Sequence, residues 1–277
     1  MTAIEDAGTF VACGVNRWWF VVPIPSQPTI VARLMDGWML CAAEAPSIEP
    51  VEALIHNAGF PPQVKLVHPH QGRMQLRAEL PLEGENDAEA SLPELARSFA
   101  GAFTSLGEAK PTEAPAIVEW NAMPAEAVLA LCKTIGWEAA TERDRVRVRL
   151  AVDDGRRAML SPVGEGLRAS VRIGSLADVP ADCAAAVAHL LAAVGANVRF
   201  VRPVLREASA ELEIFFPKPP TPGLLEAALA ALSVALDLCG REAAVLLGNE
   251  SLARTYLARC ARHTARAEVQ TRTGEHT

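Results

Sequence analysis

The chain has 277 residues, half of them hydrophobic and 21% charged, with a net charge of −7 and a pI near 5.5. This composition is that of a globular protein, and the length favours two domains of ordinary size. The acidic balance argues against a nucleic-acid binder that relies on overall positive charge.

The first half of the chain predicts strands and helices in mixed order. Alternating apolar residues flank Asp36-Gly37, a dipeptide typical of a tight hairpin turn. A helix, a second hairpin and a closing helix are expected after this meander. In chain order the predicted elements are strands 17–22, 29–35 and 38–43, a helix 47–58, strands 64–68 and 73–80, and a helix 91–106.

The second half predicts the same order again, after a linker at 107–115 that is rich in Glu, Pro and Ala. Valine and leucine alternate with arginine at 145–152, which indicates a half-buried strand. The run 181–194 is apolar almost all round, which indicates a helix covered on more than one side. The predicted elements are a helix 124–136, strands 145–152, 156–163 and 167–173, a helix 181–194, strands 198–205 and 210–216, and a helix 223–238.

Matching residues at a constant spacing predict that the second half duplicates the first. Apolar, glycine and proline positions recur 136 residues later in the chain, and 65–69 match 199–203 at a spacing of 134. Such a long repeat indicates duplicated domains, because solenoid units are about 20 to 50 residues long. The pairs at 136 are Val51 and Val187, Leu54 and Leu190, Ile55 and Leu191, Gly59 and Gly195, Leu76 and Leu212, Leu80 and Phe216, and Pro81 and Pro217.

We therefore expect an α+β fold made of two tandem repeats of a βββαββα unit, the second preceded by an extra helix. Each unit would be an antiparallel sheet with helices packed on one face. The expected boundaries are 1–110 for the first unit, 111–122 for the linker and 123–240 for the second unit. Residues 241–277 are expected to hold a helix at about 251–263 and a flexible polar tail from Thr264.

The cysteines and the first residues predict a cytoplasmic location. The six cysteines are widely spaced and include no C-x-x-C pair, so we expect reduced, mostly buried thiols. Glu5 and Asp6 stand where an export signal would carry a basic segment followed by an apolar one. The charge-free stretch 183–198 is shorter than the roughly 20 apolar residues that span a bilayer, so no membrane insertion is expected.

This order of elements resembles the fold of type III secretion chaperones of the Tir-chaperone class and of the YbjN-like proteins. The resemblance implies a bacterial protein-binding module in which two units pair through their central helices and hold an extended client segment on their outer surfaces. In that family each unit is usually a separate chain. Here the tandem copies would form a monomeric pseudo-dimer, because a short linker holds them at an effective concentration on the order of mM.

Two groups of residues are candidate partner-binding sites. Trp18, Trp19 and Trp38 all fall in the first predicted meander, and an exposed tryptophan is a candidate anchor for a partner. Core packing is the alternative explanation for these rings.

The second group is an arginine face on the second meander, where an acidic client segment or phosphates could bind. Its alternative is a solvated sheet face neutralised by Glu211 and Glu213 on neighbouring strands. The arginines are Arg145, Arg147, Arg149, Arg168 and Arg172.

Residues that suggest reactive chemistry are few. His68 and His70 have the strand spacing of two metal ligands, and Cys260 and His263 lie one helical turn apart, so each pair is half of a metal site. No acidic or cysteine partner lies near the histidine pair, which favours an exposed strand end. The sequence contains no G-x-S-x-G, phosphate loop, H-E-x-x-H or dinucleotide fingerprint. We therefore predict no catalytic residue, no cofactor and no metal.

The sequence thus favours a protein that is not an enzyme and that binds another protein as a secretion-chaperone-like module or adaptor. Nucleic acid is not expected as a partner. One alternative is an accessory structural subunit of a larger assembly, which would stay bound to its partners. Another is an uncharacterised enzyme or small-ligand-binding protein, which a deep pocket with convergent polar side chains would favour.

Overall fold

The computed structural model describes residues 9–14, 17–21, 28–61, 63–68, 73–82, 87–107, 123–152 and 155–274. Within these ranges, the side chains at 9–20, 87–90 and 264–274 lie outside the description. The predicted linker at 111–122 also lies outside the described residues.

The described residues form strands and helices in mixed order along the chain. The strands are β1 Thr9–Gly14, β2 Arg17–Val21, β3 Thr29–Met35, β4 Trp38–Glu44, β5 Val64–Val67, β6 Gln75–Pro81, β7 Ala139–Glu142, β8 Arg145–Arg149, β9 Arg157–Val163, β10 Gly166–Ser175, β11 Arg202–Arg206 and β12 Ser209–Phe216. The helices are α1 Pro50–Gly59, α2 Asp87–Leu106, α3 Ala125–Thr134, α4 Ala181–Asn197, α5 Pro222–Gly248 and α6 Glu250–Gly274.

The strands form two antiparallel sheets, which confirms the predicted α+β class. The first sheet has the order β1-β2-β3-β4-β6-β5, and the second has the order β7-β8-β9-β10-β12-β11. Counted from its own first strand, each sheet therefore has the same strand order. A helix follows the fourth strand of each sheet, and another follows the sixth. Duplication of the chain itself stays a prediction.

Each sheet begins with four antiparallel strands, so the predicted three-stranded meander is wrong by one strand. β1 pairs with β2, and β7 pairs with β8 in register from Ala139 opposite Val148 to Glu142 opposite Arg145. The segment Ala139–Glu142 has little alternation of apolar and polar residues, so its strand character comes from pairing with β8.

The fifth strand of the second sheet begins four residues later than predicted. Phe200 has a φ of 75°, which ends any extended run through it, and β11 begins at Arg202. Strand register also corrects the match at a spacing of 134. Lys65 lies opposite Arg77 and Arg202 lies opposite Glu213, so Arg202 is the counterpart of Lys65 at a spacing of 137.

The C-terminal helices extend beyond the predicted limits. α5 continues to Gly248, so the expected boundary at 240 falls inside a helix. Asn249 then accepts a hydrogen bond from the backbone N–H of Leu252 and begins the next helix. α6 continues to Gly274, so the segment expected to be a flexible tail from Thr264 is helical.

Each sheet has its own hydrophobic core on the face that the helices cover. The first core includes Ile30, Met39 and Phe99, and the larger second core packs α3, α4 and α5 against the second sheet. The cysteines whose side chains are described, at 41, 132, 183, 239 and 260, are buried, as predicted, and form no disulfide. α5 is long and apolar enough to cross a membrane, yet half of its most apolar stretch is buried in the protein.

The two halves contact one another through their central helices. α1 packs against α4 and against β11, and α4 packs against β5. Leu54 of α1 is buried in the core of the second half. The amide nitrogen of Asn57 donates to the carbonyls of Leu66 in its own half and Pro203 in the other, at 2.9 and 2.8 Å. The halves therefore share apolar and polar contacts.

Candidate functional site

A buried lysine of the first half reaches the backbone of the second. Lys65 Nζ donates to the carbonyls of Val198 and Val201, at 3.2 and 3.1 Å, just after the end of α4. Its counterpart Arg202 donates to the carbonyls of Pro61 and Val64, at 3.1 and 3.4 Å, just after the end of α1.

These two sets of contacts are reciprocal. Three residues of one set have counterparts in the other at the same spacing of 137, so these residues and their counterparts exchange roles across the contact. This is the pattern of an isologous interface between two like subunits. The corresponding residues are Pro61 and Val198, Val64 and Val201, and Lys65 and Arg202. Arg202 also donates to the carbonyl of Phe60 at 3.2 Å, a contact that Lys65 does not repeat among the described residues.

Buried carboxylates balance these cations. Glu79 lies 2.7 Å from Lys65 Nζ and also accepts the backbone N–H of Phe200 of the other half at 2.6 Å. Burial lowers the pKa of Lys65, and Glu79 opposes that change. Glu213 is 0% exposed and forms ion pairs with Arg202 and Arg206.

The charge of Glu213 is stabilised despite its burial. Burial raises its pKa, but Arg202 and Arg206 outweigh this effect and hold the pKa below its ordinary value. Arg206 also donates to the carbonyl of Ala58 near the end of α1. The contact between halves is thus a network of buried charges and helix-end carbonyls.

The arginine face lies on the side of the second sheet that its helices leave uncovered. β8 buries Val146 and Val148 at 0% exposure and exposes Arg145, Arg147 and Arg149 between and beside them. The predicted alternation on this strand is therefore confirmed.

β10 contributes the remaining predicted arginines. Arg168 is half-buried, opposite Ser161 on β9 and Phe215 on β12. Arg172 is exposed and lies opposite Glu211. The structure therefore brings all five predicted arginines to one face, where they lie on two of the six strands.

Sequence reasoning missed Arg157, which belongs to the same face. It lies on β9 directly opposite Arg149. Its position at the start of an alternating strand was the available signal. The five predicted residues and Arg157 together form the arginine face.

The predicted neutralisation of this face is only partly found. Glu211 lies opposite Arg172, but Glu213 is engaged by Arg202 and Arg206. The arginines of β8 instead pair with carboxylates at or beside β7, with nitrogen to oxygen distances of 3.3 to 3.8 Å. These pairs are exposed and contribute about 0 to 1 kcal/mol each. They are Arg145 with Asp144, Arg147 with Glu142, and Arg149 with Glu138.

Arg168 is the most desolvated member of the arginine face. Burial lowers its pKa, and Glu213 is the largest opposing influence. Its Nε–H is buried without a hydrogen-bond partner among the described residues. Burying a charged donor without a hydrogen-bond partner costs free energy.

The tryptophan candidates separate into two cases. Trp38 packs edge-to-face on Phe200 of the other half, with ring centroids 5.3 Å apart, and the guanidinium of Arg199 lies 6.0 Å from its ring. Trp38 is therefore engaged between the halves. Trp18 and Trp19 lie on β2, opposite Ala32 and Val31 of β3, and their side chains are outside the described residues.

Two of the candidate metal ligands, His68 and Cys260, are connected through His189 and Tyr256, whose rings lie 6.0 Å apart. The ring of His68 lies 4.8 Å from that of His189, while His70 is outside the described residues. Cys260 is hydrogen-bonded to Tyr256, and burial raises the pKa of both groups. Within the described ranges, no group of three His, Cys, Asp or Glu side chains could hold a metal ion.

Two cavities adjoin the contact between the halves. The smaller, of about 240 Å³, is lined mainly by aromatic and proline side chains, beside the paired Lys65 and Glu79. The larger, of about 550 Å³, is an open groove across the uncovered face of the first sheet, bounded by the end of α4. In the smaller cavity Lys65 and Glu79 are paired with one another, and Arg202 is paired with Glu213.

Comparison of the chain with protein-family models, curated proteins and solved structures finds no match. The geometry of the described residues is therefore what supports a function.

Proposed function

We propose that this chain is a non-catalytic protein-binding module that works as a monomeric pseudo-dimer in the cytoplasm, in the manner of a secretion chaperone or adaptor. The observation that supports the proposal most is the reciprocal contact of Lys65 and Arg202 with the helix ends of the opposite halves. Two-fold contacts of this kind normally join separate subunits.

Pairing within one chain leaves particular surfaces for another protein. The edge strands β5 and β11 and the helices α1 and α4 are engaged between the halves. The outer face of the second sheet is exposed at the arginines of β8, at Arg157 and at Arg172, and the arginine face lies there. A partner would therefore meet a preformed, rigid surface, which reduces the entropic cost of binding.

Light scattering on the purified full chain tests the pseudo-dimer. We expect the mass of one chain, 29.5 kDa, at all concentrations. A concentration-independent mass of two chains would show that the halves do not satisfy one another.

Affinity purification of the tagged chain from its native host tests protein binding. We expect a protein partner in stoichiometric amount, identified by mass spectrometry, and retained when nuclease is added. A partner released on dilution would favour a chaperone, and permanent association with a complex would favour a structural subunit. Absence of any stoichiometric protein partner would contradict both forms of the proposal.

A further inference from the structure

We propose that the arginine face binds an extended, acidic segment of a partner protein. This inference rests on the proposed protein-binding function and adds the chemistry of the partner.

The spacing of the arginines matches that of an extended peptide. Arg145, Arg147 and Arg149 occupy alternate positions of β8, so their side chains leave the sheet about 6.5 to 7 Å apart. An extended segment presents every second side chain at the same interval. Carboxylates at alternate positions of such a segment would meet successive arginines along the strand.

Like charges face one another across the strands. Arg149 lies directly opposite Arg157, an arrangement that destabilises a sheet when nothing lies between the two charges. Within the described part of the chain, Arg157, Arg168 and Arg172 form no ion pair within 4 Å. A bound carboxylate between such arginines would remove the repulsion.

Arg168 is the position on the arginine face where a bound anion would form its most favourable hydrogen bonds. Its Nε–H is buried without a partner, and it lies between Ser161 and Phe215 on the neighbouring strands. A carboxylate can accept two parallel hydrogen bonds from one guanidinium, and such bonds are strong when partly desolvated. Phe215 and Met159 of the same face are half-buried and would contact apolar side chains of the segment.

The charge distribution favours a protein segment over a nucleic acid. The chain carries 33 acidic and 26 basic residues, so its overall field opposes a long polyanion. Glu138, Glu142, Asp144 and Glu211 border the arginine face and would repel a continuous row of phosphates.

Fluorescence anisotropy with the full chain tests the inference. The probe is a short, dye-labelled peptide in which Glu alternates with Thr, and the control peptide carries Gln in place of Glu. We expect the full chain to bind the Glu peptide and not the Gln control peptide, and we expect added salt to weaken this binding. We expect Arg168→Gln and Arg157→Gln each to weaken it about tenfold, because each removes one charge-assisted contact.

Arg73→Gln is the matched control variant. Arg73 is 73% exposed, lies in the first half and pairs only with the exposed Glu44 among the described residues. The Arg73→Gln variant should bind the Glu peptide as tightly as the unchanged chain does. Circular dichroism and the melting temperature verify that each variant folds. If the Arg168→Gln variant fails to fold, the Arg157→Gln variant still tests the inference, because Arg157 is exposed.

Three results would overturn the inference. One is no binding of the Glu peptide, and another is equal binding by all the variants. The third is tighter binding of a single-stranded oligonucleotide of equal charge, with the same loss in Arg157→Gln, which would assign the face to nucleic acid. If the native partner still co-purifies with Arg157→Gln and Arg168→Gln, the proposed function stands although this inference fails.

Discussion

At the scale of single residues, the charges that matter for the architecture are buried ones. Lys65 stands in the strand Val64–Val67, whose residues are all buried, and Glu213 stands in β12 at 0% exposure. In sequence Lys65 is one charged residue in an apolar run, and Glu213 alternates with apolar residues after Glu211, positions that an exposed strand edge explains equally well. Their ion-pair partners lie on the adjacent strand of the same half, and only the register of the strands brings each pair together in the core.

Glu213→Gln is expected to lower the free energy of unfolding by about 3 to 5 kcal/mol, because it leaves Arg202 and the partly buried Arg206 without their carboxylate. The measurement is chemical denaturation at neutral pH. Glu142→Gln serves as the matched control, since its pair with Arg147 is exposed and should change stability by less than about 1 kcal/mol.

The dependence on pH separates loss of the charge from a packing defect. The pKa of Glu213 is below its ordinary value of 4.5 in the folded chain, so its contribution is complete above pH 4.5 and is lost as the pH falls through the folded-state pKa. The difference in stability between the unchanged chain and Glu213→Gln should therefore shrink in acid. A difference that stays constant with pH would contradict the electrostatic explanation.

At the scale of elements, the close approach of α4 to β11 of its own half depends on a glycine. A Cβ on Gly195 would lie 2.7 Å from Cδ of Pro203 and 3.4 Å from a methyl of Val67. Proline is rigid, so the contact cannot relax by a simple rotation of a side chain. The recurrence of Gly59 at Gly195 was visible in the sequence, but the structure supplies the reason for the second glycine.

Gly195→Ala is expected to destabilise the chain by about 1 to 3 kcal/mol, although alanine is the better helix former. Gly223→Ala is the control, because nothing lies within 4 Å of its added Cβ in the first turn of α5. That variant should be neutral or up to about 1 kcal/mol more stable. Thermal unfolding measures both, and equal effects of the two substitutions would contradict close packing at Gly195.

At the scale of the whole molecule, the two halves form one packed body. Leu54 of the first half is buried in the second core, and Asn57 bonds to both halves. We therefore expect one cooperative unfolding transition by calorimetry, with equal calorimetric and van't Hoff enthalpies. Leu54→Ala should lower the midpoint temperature of this transition and broaden the transition, because it weakens the packing that couples the two halves. Two separate transitions in the unchanged chain would show that the halves fold independently.

The sequence by itself determined the α+β class, nearly all the strands and helices, and the outward position of the arginines on β8. It could do so because alternation at a period of two and at a helical period is a local property of the chain. It missed β1 and β7, the first strand of each sheet, and the strand character of β7 comes from its neighbour. It also misplaced the start of β11, which depends on the backbone at Phe200.

Only the tertiary structure decided which residues meet across the two halves. Lys65 and Arg202 each donate to carbonyls of the opposite half, and Trp38 contacts Phe200, so these contacts join residues more than a hundred positions apart. Glu213 is enclosed by elements that are distant in the chain. Such contacts arise from packing of finished elements, which local periodicity does not encode. The partial burial of Arg168 was decided at the same step.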